Sequence, residues 1–332
     1  MSAPRLAVIG AGVSGLSAAR AAVGRAEVTV LEASARAGGL VHTERAHGLL
    51  VEHGPDCLAT GNPAGLRAVR ELGLENEIVH ALERRSYVLS EGALHPLPAG
   101  LLAMSPDAGL ELLRSPLLSP GAKARMLLEP LIPRGPDRSD ESVGEFFERR
   151  LGREVVDRVV DPLLGGIYGA DAWRLSLRAV LPALAETGRT HRSLASRLAR
   201  RASPSAGKGG AGIVSLRSGM GALPEALAAE LAGRVRTRAE VRAVERTARG
   251  FRIRSRDGAR MEVDAVVVAT PPWRAAELLE GIDPDLAAHL DRIRPARLDA
   301  VTLAWPREAV RCPLVGTGFV VAADEPRRLR AC

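Results

Sequence analysis

Aromatic residues are scarce in this chain of 332 residues: three Trp, two Tyr and four Phe amount to 3% of it. Binding nucleic acid by base stacking needs aromatic platforms and a gathered basic patch. Here the platforms are few and the arginines are scattered, which argues against a nucleic-acid partner. Cysteine is as sparse. Cys57, Cys312 and Cys332 are odd in number and lack the close pairing of a zinc or redox site, so they read as reduced thiols of a cytoplasmic protein without a metal. No segment reaches the ~18 uninterrupted apolar residues that a membrane-spanning helix requires. The apolar N-terminus lacks the basic region of a secretory signal and runs directly into glycines.

What is present is ordinary globular material, 46% hydrophobic and 26% charged, in a chain long enough for two or three cores. Lys plus Arg number 46 against 39 for Asp plus Glu, and the positive charge is nearly all arginine. That suits an anionic partner such as phosphate, carboxylate or acidic lipid. An arginine-rich surface arising from compositional bias is the plain alternative.

Residues 6–9 predict a buried strand, 10–15 a turn, 16–23 an alanine-rich helix and 27–31 a second strand that ends at Glu32. This βαβ unit gives meaning to the glycines of Gly10-Ala11-Gly12-Val13-Ser14-Gly15. The first permits a tight turn, the second lets the backbone approach a pyrophosphate, and the third lets helix and strand pack closely. The helix N-terminus then offers amides and a positive dipole to phosphate. Glu32 stands where an acid accepts hydrogen bonds from ribose hydroxyls. Dinucleotide binding is the reading, and a glycine-rich turn without a ligand the rival.

Farther on, residues 95–134 are proline-punctuated leucine segments that predict short helices, and 142–160 predict a charged helix. Residues 203–212, SPSAGKGGAG, have the composition of a loop or boundary. Leu223, Leu227 and Leu231 recur on one helix face, and strands are expected at 241–245, 251–254 and 263–269.

The residues after the second strand, Glu32-Ala33-Ser-Ala-Arg36-Ala-Gly38-Gly39, resemble the extension found in flavin-dependent amine oxidases and porphyrinogen or carotenoid oxidases. In that class the arginine and the glycine backbone approach the FAD pyrophosphate and flavin. Val51-Glu-His-Gly54-Pro55 resembles the class's next loop near the flavin, and Val266-Val-Val-Ala269-Thr-Pro-Pro272 its strand-to-turn element. Val241 sits where a strand backbone receives the adenine.

Within the class, Tyr87-Val-Leu-Ser-Glu-Gly92-Ala-Leu-His-Pro96-Leu-Pro98, then Gly165-Gly-Ile-Tyr-Gly169-Ala-Asp171, ETGRTHRSL at 186–194 and Ser218-Gly-Met-Gly-Ala-Leu223 resemble the protoporphyrinogen oxidase family. The resemblance implies an α/β protein. A Rossmann-type FAD-binding domain (1–60 and 208–272) would carry an inserted helical, membrane-associated region (92–203) and a partial α+β substrate domain (61–91 and 273–332). It implies FAD, a porphyrinogen oxidised in successive two-electron steps of heme biosynthesis, and O2 as acceptor. It also implies peripheral contact with the inner face of the cytoplasmic membrane, and it is compatible with a homodimer.

The backbone of Gly169 would face the substrate, though a helix-ending turn needs a glycine equally well. The family places an arginine immediately before the aromatic at 87. Here Ser86 stands there and Arg85 one residue earlier, a shift that turns a strand side chain to the other face, so Arg85 is a secondary substrate candidate. No side-chain acid or base is assigned. His53 and His191 read as structural or exposed residues, and Arg192, Arg197, Arg200 and Arg201 as a solvated face or a lipid contact. The family continues beyond the position of Cys332, so the substrate part is expected to be incomplete. From sequence alone, an oxidase acting on amines or carotenoid precursors, or an FAD-binding protein without catalysis, stays open.

Overall fold

The computed structural model describes residues 3–61, 63–81, 85–98, 106–133, 140–191, 193–194, 212–312, 315–326 and 329–332. The chain divides into two compact units, one of residues 1–80, 213–295 and 300–303, the other of 81–212, 296–299 and 304–332. Residues 61–80 and 273–295, expected with the substrate part, belong to the first unit. Ile78–His80 pairs there with the strand Ile213–Leu216, and the buried Leu278 of Pro272–Leu279 joins a core cluster with Val241 and Val244. Of the loop-like stretch at 203–212 only Gly212 is described. Arg192, Arg197, Arg200 and Arg201 lie outside the described residues, as do residues 99–105 of the leucine-proline stretch.

The first unit is organised by a four-stranded parallel sheet in the order Val235–Arg236, Glu27–Leu31, Arg5–Ile9, Ala265–Val268. Alternate side chains of the central strand leave on opposite faces. Ala7 and Ile9 join Leu31, Val241 and Ile253 in one core, while Val8 joins Val28, Leu16 and Leu227 in another. Burial on both faces explains why the strand reads as an unbroken apolar run.

The helix after it spans Val13–Ala22 and so begins three residues earlier than the sequence predicts. Gly12 lies in the extended region and its carbonyl accepts from the Leu16 amide at 2.9 Å, which closes the first turn and draws Val13, Ser14 and Gly15 into the helix. The leucines at 223, 227 and 231 are all buried, on a helix over Ala222–Glu230 and its C-cap. The single strand expected at 263–269 is two strands in different sheets. Arg260–Val263 closes an antiparallel sheet with Gly250–Ser255 and Val241–Thr247, and Ala265–Val268 enters the parallel sheet. Asp264 turns the chain between them: its Oδ2 accepts from the Arg5 amide at 2.7 Å and its own amide donates to the Arg5 carbonyl at 2.9 Å.

The second unit holds a three-stranded sheet, Gly318–Val321 parallel to Ser86–Ser90, itself paired antiparallel with Ala93–Pro96. Its helices bury Phe146, Val156, Leu164 and Leu177 in one cluster with Val88. The helix expected over 142–160 is broken at Gly152, whose φ of 97° stops the helix Val143–Leu151 before a short turn and a π-helical segment over Val156–Val160. A buried ion pair ties the helices together. Glu129 accepts from Arg150 Nη1 at 3.1 Å, from the Ser193 hydroxyl at 2.6 Å and from the Leu194 amide at 2.9 Å. Burial pushes the Arg150 guanidinium below its ordinary value, against the pull of Glu129.

Candidate functional site

The site forms at the carboxyl edge of the parallel sheet, where ligands settle in open α/β sheets. Gly10 leaves the first strand with φ of 102°, its amide held by the Leu31 carbonyl at 2.8 Å, in a conformation that a β-carbon disfavours. Gly15 meets the reverse face of the turn: a β-carbon there would lie 1.9 Å from the Gly10 carbonyl oxygen and 3.2 Å from the Ala269 β-carbon. Close approach of helix and strand is thus enforced by contact. Gly12 differs from both. Its φ of −70° suits any residue and a β-carbon on it would meet nothing within 4 Å among the described residues. The fold itself leaves that space empty, directly before the first turn of a helix with no side-chain cap.

Glu32 is held by two amides, Ala11 at 2.7 Å and Ser34 at 2.8 Å, one on each carboxylate oxygen. It therefore joins the glycine turn to the end of the second strand, with Ala33 between it and Ser34, and each oxygen keeps a lone pair for a ribose hydroxyl. Arg36 donates to the Ala37 carbonyl at 3.2 Å and to the Gly39 carbonyl at 2.9 Å, bracing the loop that carries Gly38 and Gly39. That loop lies against the first turn. The Gly38 amide donates to the Ala11 carbonyl at 2.8 Å, and a β-carbon on Gly39 would stand 3.1 Å from the Gly12 α-carbon.

Gly54 is pressed on the same loop, its β-carbon position only 2.0 Å from the Leu40 carbonyl oxygen, and brings Pro55 with it. Ala269 completes the edge, its amide donating to Ile9 at 2.8 Å and its carbonyl oxygen 2.8 Å from the β-carbon position of Gly10. Val241 is buried at the start of its strand beside Ile9 and Leu31, and Arg274 Nη2 holds its carbonyl at 2.6 Å. The first unit therefore brings the expected cofactor residues together around one edge.

Three residues escaped sequence reasoning. The Thr43 hydroxyl donates to Glu52 at 2.7 Å and accepts from the Gly221 amide at 2.7 Å, while Glu52 also accepts from the Met220 amide at 2.7 Å. This pair fastens the Ser218-Gly-Met-Gly turn to the hairpin that leads into Gly54. The third, Thr270, follows Ala269 and has a buried hydroxyl without a partner among the described residues. Glu52 and Thr270 stand inside the family-like stretches VEHGP and ATPP without being singled out there, whereas a threonine in HTE carries no signal.

Several residues fall to plainer roles. His53 stacks on His42 with ring centroids 4.8 Å apart and meets Glu44 at 2.7 Å on an exposed hairpin. His191 meets the Thr190 hydroxyl at 2.8 Å. Burial pushes the Cys57 thiol up to about 11, helped by Asp56, so at neutral pH it is a protonated thiol and a poor nucleophile.

Gly169 and Arg85 belong to the second unit. Gly169 ends the helix Asp161–Tyr168 in the left-handed conformation, φ of 62°, with Leu298 covering its β-carbon position at 2.7 Å. That helix lies on the strand Gly318–Val321, and Arg85 precedes the neighbouring strand with its carbonyl accepting from the Thr317 amide at 2.8 Å. Gly169 therefore ends a helix packed on this sheet, and Arg85 stands at the start of a strand within it.

The residues present fit a dinucleotide. The open approach at Gly12 would admit a pyrophosphate, the bare helix start supplies amides to it, and the Thr270 hydroxyl lacks a partner among the described residues. Fold and site thus define a Rossmann-type sheet with a glycine turn and an acid at its carboxyl edge, the arrangement that suits a dinucleotide. The family profile of the flavin containing amine oxidoreductases matches residues 13–321, and the chain belongs to that family. Coproporphyrinogen III oxidase of Bacillus subtilis is 30% identical over 98% of this chain and 72% of its own length. That of Propionibacterium freudenreichii is 36% identical over 97% and 67%, and human protoporphyrinogen oxidase 31% identical over 96% and 70%. Among solved structures, one from Exiguobacterium, provisionally assigned as a protoporphyrinogen oxidase, superposes with a TM-score of 0.76 at 26% identity over all of this chain and 73% of that one. The resemblance drawn from GAGVSG, ARAGG, GGIYGAD and ATPP is borne out, and the cofactor class is a flavin.

Proposed function

We propose that this chain is an FAD-dependent porphyrinogen oxidase of heme biosynthesis, acting on coproporphyrinogen III with O2 as electron acceptor. The observation that carries the reading is the empty approach at Gly12, which the fold does not need and a pyrophosphate does. FAD in particular is supported by the coupling of that approach to the Arg36–Gly39 loop and the Gly54–Pro55 turn. The substrate is supported by relatives that bear its name and by an arginine excess suited to its carboxylates.

When bound, FAD would take electrons from the macrocycle two at a time and return them to O2. This chain's residues bind and orient: Glu32 holds the ribose end, the first-turn amides and Gly12 the pyrophosphate, and Gly38, Gly39, Gly54 and Pro55 the flavin side. Gly169 and Arg85 are the proposed contacts of the porphyrinogen. Peripheral membrane contact is proposed through the exposed Leu127, Leu128 and Leu131, and retention on anionic vesicles checks it.

The deciding experiment supplies FAD to the purified protein and follows fluorescence as coproporphyrinogen III or protoporphyrinogen IX becomes porphyrin. The expected result is O2-dependent turnover, faster with coproporphyrinogen III. Tight FAD binding with no turnover of either porphyrinogen would overturn the substrate reading and leave the cofactor reading standing.

A further inference from the structure

The last strand of the parallel sheet ends at Val268, and the chain passes through Ala269 and Thr270 before Pro271 caps the helix Pro272–Leu279. Both neighbours of Thr270 are fixed by backbone bonds. The Ala269 amide donates to Ile9, and the Pro271 carbonyl accepts from the Arg274 and Ala275 amides at 3.0 and 2.9 Å. Thr270 is thereby held beside the glycine turn, its Cγ2 standing 3.4 Å from the β-carbon position of Gly10.

Its Oγ1 is buried and has no hydrogen-bond partner among the described residues. A buried hydroxyl left unpaired is a net cost to folding, and valine fills the same shape without that cost. A hydroxyl that no described residue uses stands at the sheet edge where the dinucleotide is expected.

We propose that Thr270 is a cofactor-contacting residue whose hydroxyl donates to an oxygen of the dinucleotide's phosphate chain. This rests on the dinucleotide reading above and adds to it a residue that neither the glycine motif nor the acid identifies. The contact gives the rim of Ala265–Val268 a share in binding, opposite the amides of Val13–Ala22. Because the acceptor is charged, the bond belongs to the stronger class.

Thr270→Val and Thr270→Ser separate this role from a structural one. In the full chain, apo Thr270→Val is expected to melt at the wild-type temperature or above it, since the hydroxyl has no partner to lose. Its FAD dissociation constant, read from flavin fluorescence, should rise about 10-fold, equivalent to about 1.4 kcal/mol. Thr270→Ser, which keeps the hydroxyl, should stay within about two-fold of wild type. Titration with ADP, which carries the pyrophosphate without the flavin, should show the same loss in Thr270→Val.

A lower apo melting temperature in Thr270→Val would mean that the hydroxyl serves the fold and would overturn the proposal. So would unchanged FAD affinity, or a loss confined to FAD and absent with ADP. A wild-type protein that bound neither FAD nor ADP would overturn the dinucleotide reading itself, whereas wild-type binding with an indifferent Thr270→Val overturns only the inference.

Discussion

The helix Val13–Ala22 of the first unit and the helix Val143–Leu151 of the second are similar in length and begin in opposite ways. Ser142 caps the second in full: its hydroxyl accepts from the Glu145 amide at 3.1 Å while Glu145 reaches back to the Ser142 amide at 2.9 Å. The first begins at Gly12, with no side-chain cap and no acid in its first turn. A capping box satisfies orphan amides and stabilises a helix. A bare start leaves them for something else. The chain therefore spends polar side chains where a helix only has to be stable, and withholds them where a ligand's phosphate would take their place.

The glycines around the bare start divide the same way, and substitutions make the division measurable. Gly15→Ala should have the largest effect. Its new methyl would sit 1.9 Å from a backbone oxygen, which no rotamer relieves. A loss of about 3 kcal/mol or more in urea unfolding is expected, together with loss of FAD binding.

Gly12→Ala should separate fold from ligand. The added methyl meets nothing within 4 Å among the described residues, so unfolding should shift by no more than about 0.5 kcal/mol, whereas FAD affinity should fall at least about 10-fold, or about 1.4 kcal/mol. Equal FAD affinity in Gly12→Ala and wild type would break the comparison, because the empty space would then serve no ligand. Ser142→Ala is the mirror experiment. It should cost about 1 kcal/mol of stability and leave FAD affinity unchanged.

How far these differences could be read in advance depended on what each residue does. The first strand, the second strand over 27–31 and the leucine-lined face at 223–231 were legible because period and burial agree there. The glycine turn, Glu32 and Arg36 were legible because backbone geometry restricts which residues fit. The break at Asp264 was not: residues 263–269 form one apolar run around a single acid, and only the bonds to Arg5 show that the chain changes sheets. Gly152 was hidden inside a charged helical pattern whose period continues past it. Thr43, Glu52 and Thr270 act through partners distant in sequence, or through the lack of one, and no local pattern encodes that.

The capped unit also contains a half-buried carboxyl, Glu154, and a buried one, Asp161, that should respond oppositely to pH. Burial alone would push Glu154 up, but the Ser119 amide at 2.7 Å and hydroxyl at 2.6 Å, with Arg158 nearby, hold it below its ordinary value. Ser119 is itself the N-cap of the helix Pro120–Leu127, so Glu154 secures a second capped start. Asp161 lies at the head of the helix that ends at Gly169. Burial pushes its carboxyl up, against a bond from the Ala172 amide at 2.8 Å.

A carboxyl lowered in the folded state adds stability above its unfolded value and loses it as pH falls through the folded value. A raised carboxyl does the reverse, its contribution being complete below the unfolded value and lost as pH rises through the folded one. Across the acid window of ordinary carboxyls, Glu154→Gln should therefore flatten the rise of stability with pH and Asp161→Asn should steepen it. Each change should stay below about 1.4 kcal/mol per pH unit, the ceiling for one proton. Urea midpoints of the full chain across that window check both signs. A slope that steepens in Glu154→Gln would show that the bonds from Ser119 do not outweigh the desolvation of Glu154, and one that flattens in Asp161→Asn that the Ala172 bond outweighs the burial of Asp161.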